Sequence, residues 1–479
     1  MLKEPAPQQY QFEMVTLDEL VPEDHLVRKV DAAIDFEFIR DAVKHLYCAN
    51  NGRPAIDPVR LIKMMLLGYL FGIPSERRLV KEIQVNVAYR WFLRMGLTEK
   101  VPDASTLSQN RIRRFNDSDI FQQIFDHIVE QALTSGMANG RVLYTDSTHL
   151  KASANPRKAV NEVRPEGVSE YLEQLNAAVE ADRKKQGKKP LPGAKKTPGN
   201  AAGRNTKVST TDPESGFMHR DNKPKGFFYL DHRTVDGKHG IITDTYVTPG
   251  NVHDSQPFIR RLKRQTERFG LDTVAVGVDA GYFTSAVCHL TQEEGIALVP
   301  GYRRPHKGQN EYQKKHFRYD AERDVYVCPA DEILTHRTTD RNGYRHYGSD
   351  KHICAGCENR DKCTKNKNMQ KIITRHVWED AKERSNALRL TKWGKKVYAR
   401  RKETVERSFA DAKQHHGHRY ARFRGQAKVQ MQCLLAATAQ NIKKMALLAL
   451  LYYFFTVIYG VITGRGVPEN APRTKMTGY

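Results

Sequence analysis

Apolar positions in the first 137 residues recur at helical spacing. Residues 58–71 are apolar almost all round, with proline in the first turn, which predicts a buried helix. Shorter helices are predicted at 76–84 and 86–95. Pro102-Asp103-Ala104-Ser105 caps a further helix carrying Arg111, Arg113 and Arg114. Short helices ending in a basic one fit a helix-turn-helix module, whose last helix meets DNA, and fit equally a helical domain with a solvated basic face. At Arg141 the period changes. Val142-Leu143-Tyr144-Thr145-Asp146 reads as a strand ending in a carboxylate. Residues 226–235 and 241–247 read as strands joined by the hairpin signal Asp236-Gly237-Lys238-His239-Gly240. A helix at 257–269, a buried strand at 273–279 with a second terminal carboxylate, a helix at 285–294 and a strand at 296–299 follow. This order belongs to a mixed α/β layer fold. Residues 301–378 are polar and irregular, and a helical pattern returns at 381–416.

Composition narrows the class. The chain has 479 residues, 39% of them apolar, so it is neither disordered nor fibrous and can form several domains. Lys and Arg number 78 against 55 Asp and Glu, a surplus of +23 that makes a polyanion the first partner to consider. Nine basic and no acidic residues lie between Arg183 and Lys207, which reads as a basic linker. The amino terminus lacks a signal-peptide layout, and seven cysteines do not suggest a disulfide framework, so a cytoplasmic setting is expected. The eighteen uncharged residues 445–462 could span a bilayer, although a buried or partner-contacting helix is the preferred reading.

Acidic residues at the ends of two buried strands need a reason. Asp146 and Asp279 each sit where an apolar strand emerges at a sheet edge, the place where α/β sheets bind ligands. Glu406 is a third candidate. On a helical wheel Val405, Phe409 and Ala412 form a buried stripe, with Lys402, Glu406 and Lys413 along one edge of it. Singly, each acid could be a cap or a surface ion pair. Together, three convergent carboxylates suit Mg²⁺ or Mn²⁺, and two such ions serve phosphodiester chemistry.

Several motifs, taken in order, carry a family resemblance. These are Tyr144-Thr-Asp146-Ser-Thr148, the run 226–236 with Val247-Thr-Pro-Gly-Asn-Val-His-Asp254, Val278-Asp279-Ala-Gly-Tyr282, and Lys402-xxx-Glu406-xxxxxx-Lys413. The set, over residues 10–445, resembles the DDE transposases of bacterial insertion sequences, most of all the insertion sequence 1182 group. The resemblance implies an RNase H-like mixed-sheet core in which Asp146, Asp279 and Glu406 hold two Mg²⁺ or Mn²⁺ ions. It also implies cleavage at the element's inverted-repeat ends and transfer of the freed 3′-OH to target DNA. In the related pattern Tyr-xx-Arg-xxx-Glu-xxxxxx-Lys, Lys402 stands where Arg is usual and Tyr398 is one residue out of step. A DNA-binding regulator without catalysis, and a nuclease without strand transfer, are the alternatives.

The expected organisation is an all-helical DNA-binding domain at 1–137, core at 138–300 with a basic insertion at 153–207, a Cys-rich insertion at 301–378, the rest of the core at 379–444, and an apolar helix and tail at 445–479. Cys328, Cys354, Cys357 and Cys363 suit one structural Zn²⁺, with His352 a substitute ligand, or are reduced cysteines packed as small apolar groups. Cys48, Cys288 and Cys433 are isolated. Arg419, Arg422 and Arg424, interleaved with Tyr420 and Phe423, suit phosphate clamping and base stacking, with a solvated loop as the alternative. The expected partners are double-stranded DNA, both element ends and target, and further copies of the chain on that DNA. No small-molecule substrate is expected, and the protein would act at the nucleoid.

Overall fold

A computed structural model describes residues 13–48, 55–115, 118–164, 171–191, 204–219, 225–302 and 311–463. The first twelve residues, the middle of the basic segment (192–203) and the tail beyond 463 lie outside the described residues. Short helices fill the chain from Leu17–Leu20 to Ile120–Thr134. Among them, α1 (Pro58–Leu70) begins where the Asp57 side chain accepts from the Val59 amide at 3.2 Å, with proline in the turn that needs no intrahelical N–H. It is buried on nearly every face, and its one buried lysine, Lys63, pairs with Asp31 at 2.8 Å. The basic helix is α2 (Ala104–Arg113).

The central sheet is mixed. Its long middle strand β1 (Val142–Lys151) runs antiparallel to β2 (Gly226–Asp236) on one side and parallel to β4 (Ala275–Val278) on the other. β3 (Ile242–Pro249) and the short strand Gly216–Met218 share the outer edge of β2, and β5 (Ala297–Pro300) lies parallel beyond β4. The spatial order is therefore 3-2-1-4-5. Between β3 and β4 the chain forms α3 (Phe258–Phe269), ended by Gly270 in the left-handed region at φ 58°.

The hydrophobic run ends the first strand at Asp146, and the structure corrects this. β1 continues to Lys151 because its pairing with β2 persists as far as Lys151↔Phe228. What stops beside Asp146 is the parallel ladder to β4, whose last pair is Thr145↔Val278. The helix expected over 381–416 is also broken. It forms as Glu379–Leu390, Lys392–Ala399, a tight turn at Arg400–Lys402, and α4 (Val405–His415). Thr391 caps the second piece through the Gly394 amide (3.0 Å), and Thr404, at φ −109° and ψ −96°, cannot continue a helix.

A second, five-stranded antiparallel sheet occupies part of the Cys-rich region, with strands from Arg318–Asp320 to Ile372–His376. The expected basic linker is anchored against it. Arg183 ends a helix, Leu172–Lys185, and donates to the Thr339 carbonyl (2.8 Å), while Asp182 pairs with Arg345 at 2.6 Å. Lys207 lies in the strand Arg204–Ser209, paired with Ala159–Arg164. The Arg183 flank is therefore not a free linker, because Thr339 and the Asp182–Arg345 pair hold it, whereas the Lys207 flank is a strand of a largely exposed two-stranded pair.

The long helix α5 (Gln426–Thr463) is apolar enough to cross a membrane by length and composition, yet 67% of its most apolar window is buried inside the fold. Residues of α1, of Ile120–Thr134 and of Leu26–Ala33 join one apolar cluster with α5, the sheet residues Tyr144, Val235 and Ile242, and Val405 and Phe409 of α4. The amino-terminal helices and the sheet thus share a core.

Candidate catalytic carboxylate site

Because the parallel ladder ends at Thr145↔Val278, the next residue of each strand, Asp146 and Asp279, emerges side by side at the sheet edge. Asp279 is fixed by a bond from the Gly281 amide to its Oδ1 at 2.5 Å. Glu406 enters from the first turn of α4, whose buried face is Val405, Ser408, Phe409 and Ala412, and its side chain stays 48% exposed. A buried guanidinium, that of Arg401, draws two of the acids together. Its Nη2 lies 2.5 Å from Asp146 Oδ2, and its Nη1 lies 3.8 Å from Glu406 Oε1. Gly277 makes this possible. A Cβ there would meet the Tyr144 ring at 2.8 Å and stand 3.7 Å from Arg401 Cγ, so any side chain would displace the ring packed beneath the arginine.

Arg401 is missing from the sequence-based candidates, and the reason is a register error. Counting back from Glu406 puts Lys402 at the arginine position and Tyr398 out of step. Tyr398 and Arg401 nevertheless keep Tyr-xx-Arg spacing, with one extra residue before Glu406. The turn at Arg400–Lys402 and the non-helical Thr404 absorb that residue, so Arg401 points at the carboxylates and Lys402 is exposed. Lys402 is not on α4 at all, which overturns its place on the helical wheel. Lys413 does lie on α4 and is half-buried, with Arg419 and Asp146 among its charged neighbours.

Burial pushes the Asp146 carboxyl up to about 6, against the pull of Arg401 and the Ser147 amide and with Asp279 and Asp254 adding to the push. Asp146 and Glu406 sharing one guanidinium, with Asp279 beside Asp146, are oxygen donors of the kind a hard divalent metal ion takes. Such a ligand must be ionised, so a raised carboxyl loses ligand character as pH falls through its own titration. Mn²⁺ affinity is therefore expected to drop about tenfold per pH unit below roughly pH 6, readable by titration followed by electron paramagnetic resonance. Affinity that stays flat from roughly pH 7 to 5 would remove Asp146 from the ligand set.

The candidate DNA-binding arginines are split. Arg111 is buried, pairs with Glu76 at 3.0 Å and stacks over the Phe423 ring at 4.1 Å, so it braces the fold instead of facing DNA. Arg114 lies over Tyr47 at 4.0 Å, and Arg422 lies half-buried over Tyr69 at 4.4 Å. Arg113, Arg419 and Arg424 are exposed, as is Tyr420.

The four clustered cysteines line one small cavity of about 40 Å³ with Phe317, Leu334 and Ile353. The Ala330 amide donates to Cys328 Sγ at 3.3 Å, and the Cys354 thiol donates to Ser349 Oγ at 3.1 Å. Burial pushes the Cys363 thiol up, and the other three cysteines are among its neighbours. Among the described residues, the tightest group of potential ligand atoms is elsewhere, at Asp231, His418 and Cys433. That group is a hydrogen-bond hub. Asp231 already accepts from Arg233 (2.8 Å), His418 (2.9 Å) and Thr245 (2.5 Å), which leaves its oxygens engaged.

Two segments match family models, residues 15–113 a Transposase domain (DUF772) and residues 327–446 a Transposase DDE domain. The matches support a DDE transposase family. The second match contains the four clustered cysteines, Arg401, Glu406 and Lys413, while Asp146 and Asp279 lie outside both. No curated protein matches this chain. Among solved structures it is similar to the piggyBac transposase synaptic complex with hairpin DNA, at 9% identity and TM-score 0.31 over 94% of this chain and 83% of that one. It is also similar to the Mos1 transposase paired-end complex with left transposon end (12%, TM-score 0.16) and to the Mos1 mariner paired end complex with Mn (13%, TM-score 0.17). The two Mos1 similarities take in 53% and 55% of this chain and 61% and 65% of those chains.

Proposed function

We propose that this chain is the transposase of a bacterial insertion sequence of the 1182 group, binding the element's inverted-repeat ends and catalysing strand cleavage and 3′-OH transfer. The observation that supports this reading is that Asp146 and Asp279 leave neighbouring parallel strands side by side, while the Arg401 guanidinium lies 2.5 Å from Asp146 and 3.8 Å from Glu406. Bound there, two Mg²⁺ or Mn²⁺ ions would activate the attacking oxygen and stabilise the leaving one. The protein's own part is positional. β1 and β4 fix two ligands on rigid strands, α4 brings the third, and Arg401 offsets their mutual repulsion. Lys413, with Asp146 and Arg419 as neighbours, supplies positive charge beside the carboxylates for a DNA backbone, with the exposed Arg424 further along the same segment and Tyr420 able to stack on an exposed base. The four cysteines are proposed to hold a structural Zn²⁺, supported by their shared cavity.

The test uses a duplex ending in the inverted repeats that flank the coding region. Cleavage at the repeat end is expected only with Mg²⁺ or Mn²⁺, followed by joining to a second duplex, with binding retained in a chelator. Cleavage without joining would leave a nuclease, and binding with neither would leave a regulator.

A further inference from the structure

The sequence motif Val247-Thr-Pro-Gly-Asn-Val-His-Asp254 has no role in the site as built from three acids. Asp254 lies just ahead of α3, far in sequence from β1, yet the Ser147 hydroxyl donates to its Oδ1 at 2.8 Å. Ser147 follows Asp146 directly on β1, so this bond ties the Asp254 carboxylate to the strand that carries the first catalytic acid. A second observation comes from below. Tyr282 is wholly buried, its ring edge-on to Phe258 of α3 at 5.2 Å, and its hydroxyl finds no hydrogen-bond partner among the described residues. The acids whose charges reach that hydroxyl are Asp254, Asp146 and Asp279. A buried hydroxyl left without a partner costs free energy, and a water carried by a cation bound among these acids would donate to its oxygen.

We propose that Asp254 is a fourth carboxylate of the cation site, set in place by Ser147 and binding a divalent metal ion together with Asp146 and Asp279. The assignment rests on the transposase reading, in which the three other acids hold metal. Half-buried and already oriented by one hydrogen bond through Oδ1, Asp254 keeps its second oxygen for a ligand or for a metal-bound water. The Ser147 bond gives the hydroxyl directly after Asp146 a role, orienting a ligand without itself touching metal.

The experiment is Mn²⁺ binding to the full chain, with Asp254→Asn and Ser147→Ala beside the parent. Asp254→Asn is expected to weaken Mn²⁺ by on the order of tenfold or more and Ser147→Ala by a smaller factor, with DNA binding in a chelator unchanged. Iron(II) substituted for Mn²⁺ and treated with peroxide provides a readout on the unmutated chain, in which backbone cuts are expected near 254 as well as near 146 and 279. Parent-like Mn²⁺ affinity in Asp254→Asn, or cuts at 146 and 279 with none near 254, would overturn the fourth-ligand assignment while leaving the transposase reading intact. A parent chain that binds no Mn²⁺ would overturn both.

Discussion

Asp146→Asn, Asp279→Asn and Glu406→Gln are each expected to cut metal-dependent strand cleavage by on the order of 10³-fold, the scale on which one member of a preorganised charged site acts. Each change keeps the side-chain shape and removes one negative charge. The lost charge is the part of the side chain that a hard cation selects, so the amide is a much poorer ligand. DNA affinity is expected to stay within about threefold, because the proposed phosphate contacts come from lysines and arginines, which are untouched. Removing an acid from this site should even strengthen binding slightly, since carboxylates repel the backbone. Asp146→Asn carries one added effect, because it leaves the buried Arg401 with Glu406 at 3.8 Å as its remaining acidic partner. Gel-shift and cleavage measured on the same preparation separate these effects, and a variant cleaving at the parent rate would exclude that residue from the site.

The largest effect on stability is expected at Asp231. This carboxylate and Arg233 are both fully buried, 2.8 Å apart, and Arg233 reaches on to Ser408 Oγ at 3.0 Å and lies 4.8 Å over the Phe409 ring. The pair therefore joins β2 to α4, the helix that carries Glu406. Asp231→Ala strands a guanidinium in the interior, and breaking a buried pair from one side costs about 3–5 kcal/mol. A urea midpoint within error of the parent would refute this account of the hub. Burial alone would raise the Asp231 carboxyl, but Arg233 and His418 hold it well below the usual carboxylate range. Its folded titration is depressed, so its contribution to stability is complete above the unfolded value near ~3.9 and is lost as pH falls below that. The parent should weaken over that acid range more steeply than Asp231→Asn does.

Which parts of the site could be read in the sequence depended on the range of the interactions involved. Asp146 and Asp279 stood out because a buried apolar run ending in a carboxylate is a local signal. The continuation of β1 to Lys151 was not legible, since it depends on pairing with β2 some eighty residues away. Glu406 could be placed from helical periodicity alone. Arg401 could not, because one extra residue is absorbed in a turn that breaks the helical pattern, and periodicity assumes no break. Arg111 looked like a DNA contact because a basic helix face gives no hint that Glu76 and Phe423 will cover it. Arg183 misled in the same way, since beyond the nearby Lys189 carbonyl its partners lie over 150 positions away on the second sheet.

The single core shared by the amino-terminal helices, α5 and the sheet carries a consequence for how DNA would be cut. If the early helices grip the end of an element, that grip and the strand carrying Asp146 belong to one packed core. The packed apolar side chains then act as a fixed ruler, so the distance in base pairs from the recognised sequence to the severed phosphate is set by the folded protein itself. Inserting or deleting base pairs in that interval should move the cut along the sequence by the same number, because the protein has no slack to follow the DNA.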